Sequence, residues 1–181
     1  LPEQQSQSEA KKNEITVRYH ECFNALSGTL GGDLPHKLNL GCGEAKEKGF
    51  VNLDWQKRFK PDVLWDISEF PWPFEDGWFE TVFAFHILEH FGGEYIPIMQ
   101  ELHRIMQPGG VLYVRVPYYA YPTAWQDPTH KRAFSERSFH YFDPRYPEGE
   151  GEEYGNLFLV QSVRLQADSY EMQIAMRSLK E

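Results

Sequence analysis

The stretch Lys37-Leu38-Asn39-Leu40-Gly41-Cys42-Gly43-Glu44-Ala45 decides the fold: an apolar run stops at a glycine-rich turn. A buried parallel strand has this character, and so does the nucleoside- or phosphate-binding turn that follows one. Gly41 and Gly43 reach backbone angles that are costly for other residues, and they leave no side chain between backbone and ligand. A second run, Phe50-Val51-Asn52-Leu53-Asp54, ends on an acid eleven residues after Gly43. A carboxylate at the end of the next strand is placed to bind a pair of ribose hydroxyls, so the two features together describe a nucleoside site. The dinucleotide fingerprint requires G-x-G-x-x-G/A and an acid about 20 residues on. Here Lys46 stands at the third glycine position and the acid arrives early, which disfavours oxidoreductase chemistry.

The bulk numbers agree with such a domain. A chain of 181 residues fits one domain with room for a core. Its composition, 41% hydrophobic and 15% aromatic, is globular. A net charge of -9 argues against broad binding to a phosphate backbone, which needs clustered Lys and Arg. Cys22 and Cys42 are too few for a disulfide framework, so a reducing compartment is expected. No apolar run approaches the ~20 residues of a membrane span, and no signal-peptide pattern opens the chain. The expectation is a cytoplasmic protein without a membrane partner. Residues 1–13 are polar and aperiodic and predict a disordered leader, leaving 14–181 as a single domain. Ile15, Tyr19, Cys22, Phe23 and Leu26 recur at helical spacing, and Gly31-Gly32-Asp33 leads into the first strand.

After Gly43 only Glu44 to Gly49 precede the second strand, and the connection from Asp54 to Val63 is also short. Parallel strands usually need crossovers of about a dozen residues or more, so shortened helices are expected after strands 1 and 2. Strands are predicted at 63–67 and 81–86, the latter apolar enough for burial on both faces. Tyr95, Ile98, Met99, Leu102, Ile105 and Met106 mark an amphipathic helix that Pro108-Gly109-Gly110 stops. A strand over 111–116 follows. Ser135 is placed to cap a short helix, with Phe134 and Phe139 as a hydrophobic staple. The acidic segment 147–153 reads as an exposed loop, and 157–165 with 170–176 as a closing hairpin. The architecture is α/β and Rossmann-like, a mostly parallel seven-stranded sheet with an antiparallel C-terminal hairpin.

Between residues 36 and 142 a set of motifs now stands in order. They are Leu38 to Gly43, Asp54, Trp65-Asp66-Ile67, Pro71-Trp72-Pro73-Phe74-Glu75-Asp76, His86-Ile87-Leu88-Glu89-His90 and Met106-Gln107-Pro108-Gly109-Gly110. The set resembles the class I S-adenosylmethionine-dependent methyltransferases. The resemblance implies S-adenosyl-L-methionine as cofactor, with the backbone of Gly41, Cys42 and Gly43 against its sugar and methionine portion. Asp54 would take the ribose hydroxyls, Trp55 would stack on adenine, and Asp66 and the Ile67 N–H would meet the adenine edge. His86 would lie near the methionine end. Each has a structural alternative: a turn cap for Asp54 and Asp66, plain packing for Trp55.

Aligning an acceptor with a methyl group supplies about 7–11 kcal/mol of barrier reduction, and a base adds about 10²–10⁴-fold where a proton must leave. Candidates in the loops after the fourth and fifth strands are His90, Tyr118, Tyr119, Asp127, His130 and Arg132. His130 is the preferred base, with Asp127 orienting it and Arg132 steering an anionic group; the alternative is that these residues only hold their loop together. The expected activity is methyl transfer to an oxygen or nitrogen of a small-molecule or carrier-bound acceptor. Two rivals are a non-catalytic cofactor-binding sensor or partner subunit, and a zinc peptidase using His86-Ile87-Leu88-Glu89-His90 as H-x-x-E-H. The second is disfavoured because His86 ends a strand, so no metal ligand is assigned. DNA is not expected as a partner, because no Asn/Asp-Pro-Pro-Tyr motif follows the fourth strand.

Overall fold

A computed structural model describes residues 35–146 and 154–180. The leader, the helix expected over 15–26, the Gly31-Gly32-Asp33 loop and the acidic segment 147–153 lie outside the described residues. The strands are β1 (Lys37–Leu40), β2 (Val51–Asp54), β3 (Val63–Leu64), β4 (Phe79–Phe85), β5 (Met106–Pro117), β6 (Phe158–Gln166) and β7 (Glu171–Ser178). They form one seven-stranded sheet in the order β3-β2-β1-β4-β5-β7-β6. The first five run parallel, and β7 is antiparallel to both β5 and β6. Chain order reverses between β1 and β4, and a ligand in such a sheet binds beyond the carboxyl ends at that point.

Among the described residues one α-helix occurs, α1 (Tyr95–Ile105), in the crossover from β4 to β5. Its Ile98, Met99, Leu102 and Ile105 are fully buried and share a core cluster with Leu38, Val82, Ala84, Leu112 and Val114. The alternate positions of β4 are only half-buried, so the strand is not covered equally on both faces. There Phe83 packs on Phe85 at 4.7 Å and meets Tyr113 edge-on at 5.7 Å. No helix among the described residues is long and apolar enough to cross a membrane.

The two short crossovers stand on side-chain amides. Asn39 and Asn52 face each other at one register position of β1 and β2, and both are buried. Asn39 Nδ2 donates to the Ala45 carbonyl at 2.8 Å and to Asn52 Oδ1 at 3.1 Å. Asn52 Oδ1 also accepts from the Glu47 N–H at 2.8 Å, and Asn52 Nδ2 donates to Glu47 O, Phe50 O and Asp62 Oδ2. Asp62 closes the second loop by accepting from the Asn52 N–H at 2.8 Å. Part-buried backbone groups that a helix would satisfy internally are satisfied here by two amides and a carboxylate.

Elsewhere the expectations shift at element ends. β3 stops at Leu64 rather than Ile67, because the Asp66 carboxylate folds the chain by accepting from the Ser68 N–H and hydroxyl at 2.9 and 2.7 Å. β5 starts at Met106 rather than Val111, with a bulge between the Phe79–Met106 and Thr81–Val111 pairs. Gly109 sits there at φ +74, and a side chain on Gly110 would meet three backbone carbonyl oxygens at 3.1–3.2 Å. Arg104 holds the aromatic loop before β4, donating to Phe74 O, Trp72 O, Asp76 and Glu101. Ser135 stands at the N-cap of the short helix Glu136–Phe142, where Ser138 Oγ accepts from its N–H at 2.9 Å, and Phe134 stacks on Phe139 at 5.4 Å.

The fully buried Asp143 ties this segment to β6, accepting from the Val160 N–H at 2.7 Å and from Arg145 Nη2 at 2.6 Å. Burial pulls its pKa up, but the Arg145 guanidinium and the backbone donors of Arg145 and Val160 outweigh it and hold the carboxyl below its usual range. A depressed folded pKa contributes stability that is present above the ordinary value of 3.8 and lost as pH falls through the folded one.

Two predictions follow from these polar contacts. Asn52→Leu should cost about 2–3 kcal/mol, seen as a lower urea midpoint at unchanged slope, because the buried Asn39 amide and several part-buried backbone groups lose their partner. Asp143→Asn should cost about 1.5–3 kcal/mol at neutral pH, with the gap to the native chain narrowing in denaturation curves taken below pH 3.8.

Candidate cofactor and acceptor cavity

The loops beyond the carboxyl ends of β1, β2 and β4 surround a cavity of about 680 Å³, within the usual range for ligand sites. Gly41, Gly43, Asp54, Trp55, Asp66, Ile67 and His86 all line it, as do Ile87, His90, Pro128, Thr129 and Lys131. Residues as far apart in the chain as Gly41 and Lys131 therefore line one cavity.

The glycine turn is shaped from both sides. Gly41 has φ +66, and a Cβ on it would stand 2.5 Å from Ile87 Cδ1. Gly43 has φ +49, yet nothing lies within 4 Å of where its Cβ would be. The first glycine is required by packing and the second leaves a cradle open to the cavity. Its N–H donates to Asp54 Oδ2 at 2.9 Å, and the Gln56 N–H donates to Asp54 Oδ1 at 2.7 Å. Asp54 thus caps its own turn and pins the glycine turn to β2, while each oxygen keeps a second lone pair for a ligand hydroxyl. The cap reading of Asp54 is realised, and it leaves room for the ligand reading.

Trp55 is 63% exposed on the cavity wall, so plain packing does not account for it. Asp66 realises its cap through Oδ1 and also lines the cavity beside Ile67. Cys42 does not line it: its thiol is buried, and burial followed by the Asp54 charge pushes its pKa up to about 11. It serves the turn through its backbone, donating to Leu53 O at 2.9 Å.

His86 leaves β4 with φ +53, a backbone conformation that non-glycine residues seldom adopt. Its Nε2 lies 3.0 Å from Glu171 Oε1 on β7 and its Nδ1 lies 3.5 Å from Glu89 Oε1. Glu89 chiefly, with Glu171 beside it, holds the imidazole pKa above 6.5 against the pull of burial. In the loop after β5, Asp127 and His130 stand 4.0 Å apart and make no hydrogen bond. Asp127 Oδ1 instead accepts from the Thr129 N–H at 2.8 Å and hydroxyl at 2.7 Å, and these bonds hold its carboxyl below the usual range. Thr129 Oγ1 in turn lies 3.0 Å from His90 Nδ1, so the residue Asp127 orients is His90. His130 uses Nδ1 on the Ala124 carbonyl at 3.2 Å. Arg132 is engaged elsewhere, donating to Gly92 O at 3.2 Å and lying 4.2 Å over the Tyr95 ring. Sequence reasoning did not single out Thr129 or Glu171; an Asp-x-Thr turn signals the first, and nothing local signals the second.

A parallel sheet with this switch point and a glycine turn at its centre is the Rossmann-like arrangement expected from the sequence. The sequence model of the methyltransferase domain family matches residues 46–114, from the first short crossover through most of β5. A comparison with curated proteins finds no match. Among solved structures, a mutant of the 16S rRNA (adenine(1408)-N(1))-methyltransferase from Catenulisporales acidiphilia is 12% identical, covering 90% of this chain and 91% of its own at a TM-score of 0.57. The 1,6-didemethyltoxoflavin-N1-methyltransferase of Burkholderia thailandensis, holding its substrate and S-adenosylhomocysteine, is 13% identical over 96% and 84% at 0.55. The N-methyltransferase NodS of Bradyrhizobium japonicum WM9 is 14% identical over 91% and 87% at 0.56. At these identities the likeness is one of fold. The methyltransferase domain match over residues 46–114 agrees with that fold.

The contact between Gly41 and Ile87 can be tested by a double-mutant cycle. Gly41→Ala should destabilise by about 2–4 kcal/mol, part backbone strain and part overpacking. Ile87→Ala in the same chain should recover the packing part, giving a coupling of about 1 kcal/mol or more in urea unfolding.

Proposed function

We propose that the chain transfers a methyl group from S-adenosylmethionine to an oxygen or nitrogen of a small-molecule or carrier-bound acceptor. The observation that carries this reading is a single cavity with two chemically distinct ends. At one end stand Asp54, the open cradle over Gly43, the exposed Trp55, and Asp66 with Ile67. Those groups fit a nucleoside: a carboxylate with lone pairs to spare for vicinal hydroxyls, a flat indole for a base, and a surface free of Cβ atoms between. At the other end stand His86, His90 and Thr129, beside Lys131.

The bound cofactor supplies an electrophilic methyl on a sulfonium. The chain supplies everything else. Asp54 and the glycine turn fix the sugar's position, which serves alignment, the main source of rate in such a transfer. The histidine end receives the acceptor and the proton it gives up. His90 is on the wall and is oriented by Thr129 and Asp127; His130 packs against it with ring centroids 5.0 Å apart. The formal charge of -9 favours a small or carrier-borne acceptor over a bare polynucleotide.

Calorimetric titration with S-adenosylmethionine and S-adenosylhomocysteine tests the reading. Both should bind one per chain, with Asp54→Ala weakening them by at least about tenfold, the scale of one charge-assisted hydrogen-bond set. Absence of binding, or binding indifferent to Asp54→Ala, would overturn it.

A further inference from the structure

The histidine end holds a group of side chains that methyl alignment does not use. Glu89, His90 and His130 each offer one ligand atom, and these atoms all lie within 4.8 Å of one another. Glu89 is 2% exposed, and its Oε2 has no hydrogen-bond partner, while Oε1 faces His86 Nδ1 at 3.5 Å. A buried carboxylate oxygen with nothing to accept from is costly, and a cation is the group that satisfies it.

The two imidazoles are also held in the form a cation needs. The Thr129 hydroxyl donates to Asp127 Oδ1 at 2.7 Å, so its oxygen accepts from His90 Nδ1 at 3.0 Å. The Ala124 carbonyl can only accept, so His130 Nδ1 carries a proton toward it at 3.2 Å. In both rings Nε2 is left with its lone pair. Metal-binding histidines are fixed in this way, the second nitrogen donating to an oxygen behind it.

We propose that Glu89, His90 and His130 bind a divalent transition-metal ion, zinc being the natural first probe. Two imidazoles and one carboxylate are a recurrent donor set for catalytic zinc and for non-haem iron, and three protein ligands leave a coordination position open. The set shares two residues with the H-x-x-E-H pattern but replaces His86, which turns to Glu171, by His130 from the loop after β5. His90 and Thr129 lie on the cavity wall, so the open position adjoins the acceptor end. An acceptor oxygen held there would be acidified by the ion, and the imidazoles would serve as ligands rather than as bases. That last clause rests on the methyl-transfer reading; the metal site itself does not.

The test uses the tag-free chain stripped with a chelator, dialysed into metal-free buffer and titrated with zinc alone. One zinc per chain is expected, with affinity reduced at least tenfold in His90→Ala and in His130→Ala. Cobalt(II) added to the stripped native chain should give visible ligand-field bands that zinc displaces, a readout that needs no variant to fold. No bound zinc and no cobalt bands, or affinity unchanged in both variants, would overturn the site. Titration of the same stripped chain with S-adenosylmethionine separates the two readings. Cofactor binding without metal sinks only the metal site, and metal binding without cofactor sinks only the methyltransferase reading.

Discussion

Two asparagine amides, facing each other across β1 and β2, carry the constraint on which this architecture rests. A parallel pair of strands needs a return path, and the paths here, residues 41–50 and 55–62, are too short for a full helix. A loop without a helix leaves backbone donors and acceptors without partners along the chain. Asn39 and Asn52 meet them from within the sheet, and Asp62 extends the network to the next loop. The sheet interior therefore does what a covering layer usually does, and the site's floor is built from strand residues rather than from a helix N-terminus.

The same economy explains the cavity. Asp54 accepts one N–H from the glycine turn and one from its own turn, so a single carboxylate sets the distance between β1's exit and β2's exit. Gly41 is pressed by Ile87 from the β4 loop, which adds the third exit to the same arrangement. The groups proposed to meet the ligand are the ones that hold these exits together. The opposite end is assembled from farther away, by the loop after β5 and by Glu171 at the start of β7.

What the sequence made legible follows from this division. The strands, α1 and the hairpin were readable because each carries its own period, and the gathering of Gly41, Gly43, Asp54 and Trp55 at one cavity was readable because they sit at strand exits that the pattern marks. The asparagine network was not, since an Asn inside an apolar run looks the same whether it faces a partner or solvent. The pairing of Asp127 with His130 was inferred from spacing, but Asp127 spends its oxygen on the nearer Thr129 and acts on His90. Local hydrogen bonds two residues away outcompete those three away when the chain turns on an Asx motif. Glu89 and His130 lie 41 positions apart, and only the folded loops bring their ligand atoms together.

The place of β7 bears on how the protein is made. It is the last strand in chain order, yet it lies between β5 and β6 rather than at the sheet's edge. Until Glu171–Ser178 has emerged from the ribosome, β5 has no outer neighbour along the stretch that β7 later covers, Val111 to Pro117. A nascent chain that pauses earlier presents an open, apolar strand edge, the kind of surface that pairs with other chains. Closure of the sheet thus waits on pairing between strands of high sequence separation.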